Sequence, residues 1–237
     1  MTQSSTASMR LDKLLSQALG LSRSQVKSLL HRGAVHVDGA MTKDAALIVR
    51  SAQQVSHDGE PVEWPRERYV MLHKPAGYVC STDEPSHPLV TDLIDAPWAR
   101  TLHSAGRLDA DTTGLVLLTS DGQWSHALTS PKRGCVKTYL VQVKHPLAAE
   151  LVQRFADGLV LRDDAKPTLP AELEILEERS ARVRISEGRY HQVKRMFAAC
   201  GNRVEALHRE AIGALALDAA LASGQWRELS ADEVAHV

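Results

Sequence analysis

"GRLDADTTGLVLLTSDG", residues Gly106 to Gly122, sets an arginine, two aspartates, two threonines and a glycine directly ahead of the apolar run Leu115 to Leu118. A strand exposed on one face alternates apolar with polar residues, whereas one covered on both faces reads as a continuous apolar run. The run therefore predicts a buried strand with a charged entrance. Asp121, just beyond it, is placed to cap a short helix reaching Leu128. Two readings of the entrance stand level on the residues alone. In one, Arg107 and Asp109 form an ion pair at a strand end while the threonines and Gly114 make a turn. In the other, an aspartate at the mouth of a strand is a catalytic carboxylate. A calcium loop fits poorly. Asp109, Asp111, Thr113 and Gly114 match positions 1, 3, 5 and 6 of an EF-hand, but Ser120 stands where its bidentate glutamate belongs, and apolar residues fill ligand positions.

Downstream, "KTYLVQV" (137–143) alternates as a strand and carries Tyr139, an aromatic ring able to stack on a base. "HPLAAELVQRFADG" (145–158) has helical spacing that stops at Gly158, and "ARVRIS" (181–186) reads as another strand. In "GRYHQVKRMFAACG" (188–201), Val193, Met196, Phe197 and Cys200 share one helix face, leaving Lys194 and Arg195 off it. A nearby cation favours the charged form of a carboxylate, as a nucleophile or base requires. Strands and helices mix without regular β-α-β alternation. The expected class is therefore α+β, built on a mixed, largely antiparallel sheet flanked by helices.

Upstream, Leu11, Leu14, Leu15 and Ala18 follow one helix face, with Gly20 as the stop. Ser22 and Gln25 have capping-box spacing ahead of a second helix whose apolar stripe is Val26, Leu29 and Leu30. Arg23, Lys27 and His31 recur every four residues away from that stripe. "AVHVDGAMT" (34–42) is an alternating run broken by Asp38-Gly39, a strong hairpin signal. Two helices and a hairpin with basic residues throughout resemble the small RNA-binding module named after ribosomal protein S-four, also called the alpha-L motif. This organisation implies a loose tail over 1–8, an RNA-binding domain over 9–56, a polar, proline-containing linker over 57–68 ("HDGEPVEWPRER") and a second, larger domain over 69–237.

The net charge of −1 argues against a general nucleic-acid binder, but the charge is segregated. Arg10 to Arg50 holds seven Lys and Arg against three Asp and Glu, and Glu187 to Arg209 holds five against two. Acids lead by eight to five between Pro146 and Arg182 and by five to one from Glu210 onward, so two basic surfaces are expected. Cys80, Cys135 and Cys200 are scattered and odd in number, which indicates neither a disulfide framework nor a zinc knuckle. The polar start "MTQSSTAS" lacks a secretory apolar stretch, and no segment approaches the roughly 18 apolar residues of a membrane span. A cytoplasmic protein is expected. Phosphate-loop, G-x-G-x-x-G, H-E-x-x-H and G-x-S-x-G motifs are missing, which removes the usual support for nucleotide hydrolysis, dinucleotide redox chemistry and zinc proteolysis.

"RLDADTTGLVLLTSDG", "KTYLV" and "EGRYHQVKRMFAACGNRVEALHRE" together resemble the RsuA family of bacterial pseudouridine synthases, across nearly all of residues 9–237. "YVCSTDEPSHP" and "DGQWSHALTSP" are more similar to the branch that modifies 16S ribosomal RNA than to those that modify 23S RNA. The resemblance implies that Asp109 is the essential catalytic residue, that Tyr139 packs against the target base, that Lys194 pairs with Asp109 and that Arg107 helps hold the RNA. It also implies a pocket including Leu108 and Val193, and RNA contacts from Arg10, Lys13, Arg23, Lys27, Arg32, Arg189, His191 and Arg195. The expected partner is 16S ribosomal RNA or a small-subunit assembly intermediate, with uridine 516 as the target. The chain is expected to be a monomer, with no cofactor, no metal, no nucleotide and no membrane contact. The alternatives are a 23S enzyme of the same family, a non-catalytic ribosome-assembly factor, and a hydrolase releasing uracil. The hydrolase needs a second acid beside Asp109. Asp111, the nearest in sequence, points elsewhere if strand alternation already holds there.

Overall fold

The computed structural model describes residues 8–81, 86–130 and 133–236. They divide into two compact units, one of residues 8–67 with 95–102 and one of 68–94 with 103–236. Of the tail expected over 1–8, only Ser8 is among the described residues, and it opens a strand. Residues 82–85 of "YVCSTDEPSHP" and 131 of "DGQWSHALTSP" also lie outside them.

The first unit runs β1 (Ser8–Arg10), α1 (Leu11–Leu19), α2 (Arg23–His31), β2 (Val35–Val37), β3 (Ala40–Met41), β4 (Ile48–Arg50), β5 (Val55–His57) and β6 (Glu60–Pro61). The capping box forms as its spacing implies. Ser22 Oγ accepts from the Gln25 amide, and the Gln25 side chain accepts from the Ser22 amide. Leu11, Leu14 and Leu15 of α1 meet Val26, Leu29 and Leu30 of α2 in a core closed by Val35, Val37, Val49 and Val55. Gly20 ends α1 at φ 65°, and the side chain it lacks would overlap the Pro97 carbonyl of the 3-10 turn Pro97–Thr101. The expected linker over 57–68 requires correction. His57 completes β5, Asp58-Gly59 turns at positive φ, and Glu60–Pro61 pairs back onto β5. The order β3-β2-β5-β6 thus holds two Asp-Gly hairpin turns where the sequence reading took one. Pro61 is accommodated because β6 is an edge strand.

The second unit contributes β7 (Tyr69–Lys74), β8 (His103–Ser104), β9 (Thr113–Thr119), α3 (Gly122–Thr129), β10 (Lys137–Val143), α4 (Leu151–Asp157), β11 (Glu172–Glu177), β12 (Ser180–Ile185), α5 (Gln192–Ala199), β13 (Val204–Ile212), β14 (Leu215–Ala216), β15 (Trp226–Glu228) and α6 (Ala231–Ala235). Its sheet has the order β11-β12-β10-β13-β9-β7-β15, with β8 beside β9 and β14 beside β13. Its ladders are antiparallel except that between β9 and β13. β9 lies between β7 and β13, and Leu115 to Leu118 are fully buried, which accounts for their unbroken apolar run. Asp121 caps α3 by accepting from the Gln123 and Trp124 amides. Under α5, Phe197 packs on Phe155 of α4 with ring centroids 5.1 Å apart. No helix among the described residues is long and apolar enough to cross a membrane.

Candidate active site

The charged entrance of β9 is a turn. The Thr112 amide donates to the Asp109 carbonyl at 3.1 Å, and the strand begins only at Thr113. Two buried cations grip this segment by its backbone. Lys74, at the end of β7 and inaccessible to solvent, donates through Nζ to the carbonyls of Pro75 (3.0 Å), Ala110 (3.2 Å) and Thr112 (2.7 Å). Burial pulls its ammonium below the ordinary lysine value, against the charges of Asp111 and Asp109. Arg209 of β13, almost as deeply buried, donates to the carbonyls of Leu115 (2.8 Å), Arg107 (3.3 Å) and Gly106 (3.2 Å). Gly114 permits this arrangement. It lies at φ 107° opposite Arg209 in the parallel ladder, and an added Cβ would overlap the Arg209 backbone, 2.6 Å from its amide nitrogen.

Held in this way, the turn presents two carboxylates to one lysine. Lys194 Nζ, on α5, is 2.8 Å from Asp109 Oδ2 and 2.6 Å from Asp111 Oδ1. The view that Asp111 points away is therefore wrong, because alternation applies only from Thr113 onward. Burial would lower the Lys194 ammonium, but its bonds to both aspartates and their charges hold it above its usual range. Burial would likewise raise Asp111, yet the Lys194 hydrogen bond and charge keep that carboxyl below the ordinary carboxylate range. On its other side Asp109 meets His191, whose Nε2 is 3.4 Å from Oδ1. His191 caps α5 in the left-handed region at φ 48°, and its ring stacks on that of Tyr190.

The structure thus brings Asp109, Lys194 and His191 together. Arg107 is exposed, and its carbonyl belongs to the segment held by Arg209. Tyr139 is buried on β10 in register with Arg209, so their side chains leave the same face of the sheet. Leu108 and Val193 are buried, and the Leu108 amide donates to Cys80 Sγ. Arg189 and Arg195 have internal partners. Arg189 holds Asp164, Glu187 and the carbonyls of Lys166 and Pro167, while Arg195 holds Asp164 and the carbonyls of Arg162 and Tyr190. Arg10, Lys13, Arg23, Lys27 and Arg32 are exposed on the first unit, Arg10 in an ion pair with Asp12. Sequence reasoning gave no role to Lys74 or Arg209, and it set Asp111 aside as pointing elsewhere. Of the two cations, Arg209 has a signal in the sequence: an arginine two residues after Leu207, on the inward side of an alternating strand. No group of three or more His, Cys, Asp or Glu side chains among the described residues is arranged to hold a metal ion.

A family model described as RNA pseudouridylate synthase matches residues 68–199, and an S4 domain model matches 9–55. The chain is 54% identical over 230 residues to "Ribosomal small subunit pseudouridine synthase A" of Yersinia pestis, covering 97% of this chain and 98% of that one. It is 51% identical to the protein of that name in Escherichia coli K12, covering 97% and 100%. A solved structure, "Crystal structure of pseudouridylate synthase", superposes with a TM-score of 0.70 at 46% identity, covering 96% of this chain and 99% of the other. With its carboxylate turn and its lysine-bearing helix inside the matched region, the chain belongs to the RNA pseudouridylate synthase family.

Proposed function

We propose that this enzyme converts a specific uridine of small-subunit ribosomal RNA to pseudouridine, in the cytoplasm and without a cofactor, with Asp109 as its catalytic residue. The observation that carries the proposal is the Asp109 carboxylate paired with Lys194 on a turn held by two buried cations. The reaction is an isomerisation. The bond from ribose C1′ to ring N1 breaks, the uracil turns, C1′ joins C5, and the proton leaving C5 balances the one gained at N1. A carboxylate can add to C1′, add to the ring, or remove a ribose proton, and each route starts from an ionised, oriented Asp109. Lys194 and His191 orient it, and Tyr139 contacts the base. The uridine must leave its stack, at a cost of about a few kcal/mol, which stacking and phosphate contacts offset. The relatives' names support small-subunit RNA as the substrate, and the S4 domain supplies cationic surface for it.

The nearness of Asp111 reopens the hydrolase reading, and electrostatics answers it. A glycosidase acid must keep its proton near neutral pH, whereas Lys194 keeps Asp111 ionised. Asp109→Asn is expected to abolish pseudouridine formation in a ribosomal RNA transcript while RNA affinity stays within a few-fold of wild type. Mapping pseudouridine in RNA from cells carrying either form identifies the target. Product formed by the Asn variant would remove Asp109 from the mechanism, and free uracil would replace isomerisation with hydrolysis.

A further inference from the structure

Tyr190 is 77% exposed, the most open of the large apolar side chains among the described residues, in the loop leading into α5. Its ring is nevertheless seated. It stacks on His191 with centroids 3.8 Å apart and planes 20° from parallel. His191 is held in the left-handed region, a conformation that costs a non-glycine residue energy and that clusters at functional sites, and its Nε2 reaches Asp109. Carboxylate, imidazole and phenol thus form a continuous series from the reacting centre outward. One face of the phenol is covered by the imidazole, and the exposure of the ring leaves the other accessible. Single-stranded RNA is recognised by unstacked bases laid on aromatic faces. The 3.8 Å step between the two rings is also close to the about 3.4 Å rise of a stacked strand.

We propose that Tyr190 is the stacking platform for the nucleobase adjacent to the extruded uridine, with His191 bracing its inner face. This rests on the reading of Asp109 as the catalytic residue. Tyr190 thereby contributes to choosing which uridine is accepted, because the neighbouring base must also be free to unstack. Stacking tolerates any base identity, so the contact selects for an unpaired neighbour rather than for a particular letter.

The test uses the full chain and the ribosomal RNA fragment that carries the mapped uridine, with 2-aminopurine placed on either side of it in turn. With wild-type protein, one of the two positions is quenched on binding. Tyr190→Ala is expected to remove that quenching and to raise KM about tenfold, with the smaller share of the loss in kcat and an unchanged melting temperature. Tyr190→Phe, which keeps the ring, restores both. Quenching and KM at wild-type values in the alanine variant would overturn the proposal, as would quenching at neither position in the wild type. Asp109→Asn in the same assay separates the two readings. If it loses product while Tyr190→Ala behaves as wild type, only the platform falls. If it keeps making product, the catalytic assignment falls instead.

Discussion

Arg209 and Lys74 spend their hydrogen bonds on carbonyl oxygens, six between them, five of which lie in the segment from Gly106 to Leu115. A guanidinium presents five donors in a fixed fork, so one side chain can fix several points of a turn at once. Arg209→Met strands three carbonyls, and at about 1–3 kcal/mol for each buried group left unmet, partly relieved by rearrangement, a loss of roughly 2–5 kcal/mol in unfolding free energy is expected by urea denaturation. Where the variant is still folded, kcat should fall about a hundredfold, the cost of shifting a reacting group by about 1 Å, with RNA affinity little changed. Arg209→Lys should recover only part of either quantity. A variant that matched wild type in kcat would show that the turn holds its shape unaided. Asp109 and Lys194 were legible in the sequence because the residues around them form recognisable motifs. The grip of Lys74 and Arg209 on the turn was not, because a cation bonded to backbone carbonyls leaves no pattern in the residues it holds, even where, as for Arg209, strand alternation marks the cation itself as inward.

The helices and strands that carry the site were legible from periodicity: β9 from its apolar run, β10 from its alternation, α5 from its buried face. The linker error arose because two prolines and several charges outweighed Asp58-Gly59, a turn signal as good as the one accepted at Asp38-Gly39. The last element, α6, depends on charge. Arg227 on β15 holds Glu233 at 2.7 Å and Asp218 at 2.7 Å, and Trp124 donates its indole N–H to the Val234 carbonyl. The Arg227 hydrogen bond, outweighing burial, brings Glu233 from its ordinary 4.5 down to about 2. A carboxyl whose folded pKa is depressed contributes stability above its unfolded pKa and loses it as pH falls toward the folded one. Acidification from pH 4.5 to 2 should therefore loosen α6. The check is hydrogen exchange of the 231–236 amides, corrected for intrinsic rates. Glu233→Gln should exchange fast throughout and flatten the dependence, and a wild-type helix equally protected at both ends of that range would contradict the assignment.

The two-unit plan was legible at the scale of the whole molecule, since a basic helix pair and hairpin precede the catalytic pattern. The inclusion of 95–102 in the first unit was not, because a short 3-10 turn has no period to mark it. Under the proposed function the exposed cations of α2 meet RNA phosphates, which makes them a test of affinity as a whole. Replacing Arg23 and Lys27 together with glutamine should weaken binding and reduce the slope of log K against log salt by about 1.5–2, close to one for each phosphate contact removed. A filter-binding titration from low to high salt reads this directly, and an unchanged slope would take those residues off the RNA. The parallel junction of β9 with β13 has a consequence for synthesis. β9 leaves the translating ribosome well before β13, its neighbour in the sheet and the bearer of Arg209, which follows some ninety residues later. A nascent chain short of residue 209 has the carboxylate turn without one of its two anchors, so under the proposed function competence for chemistry waits until β13 has been made.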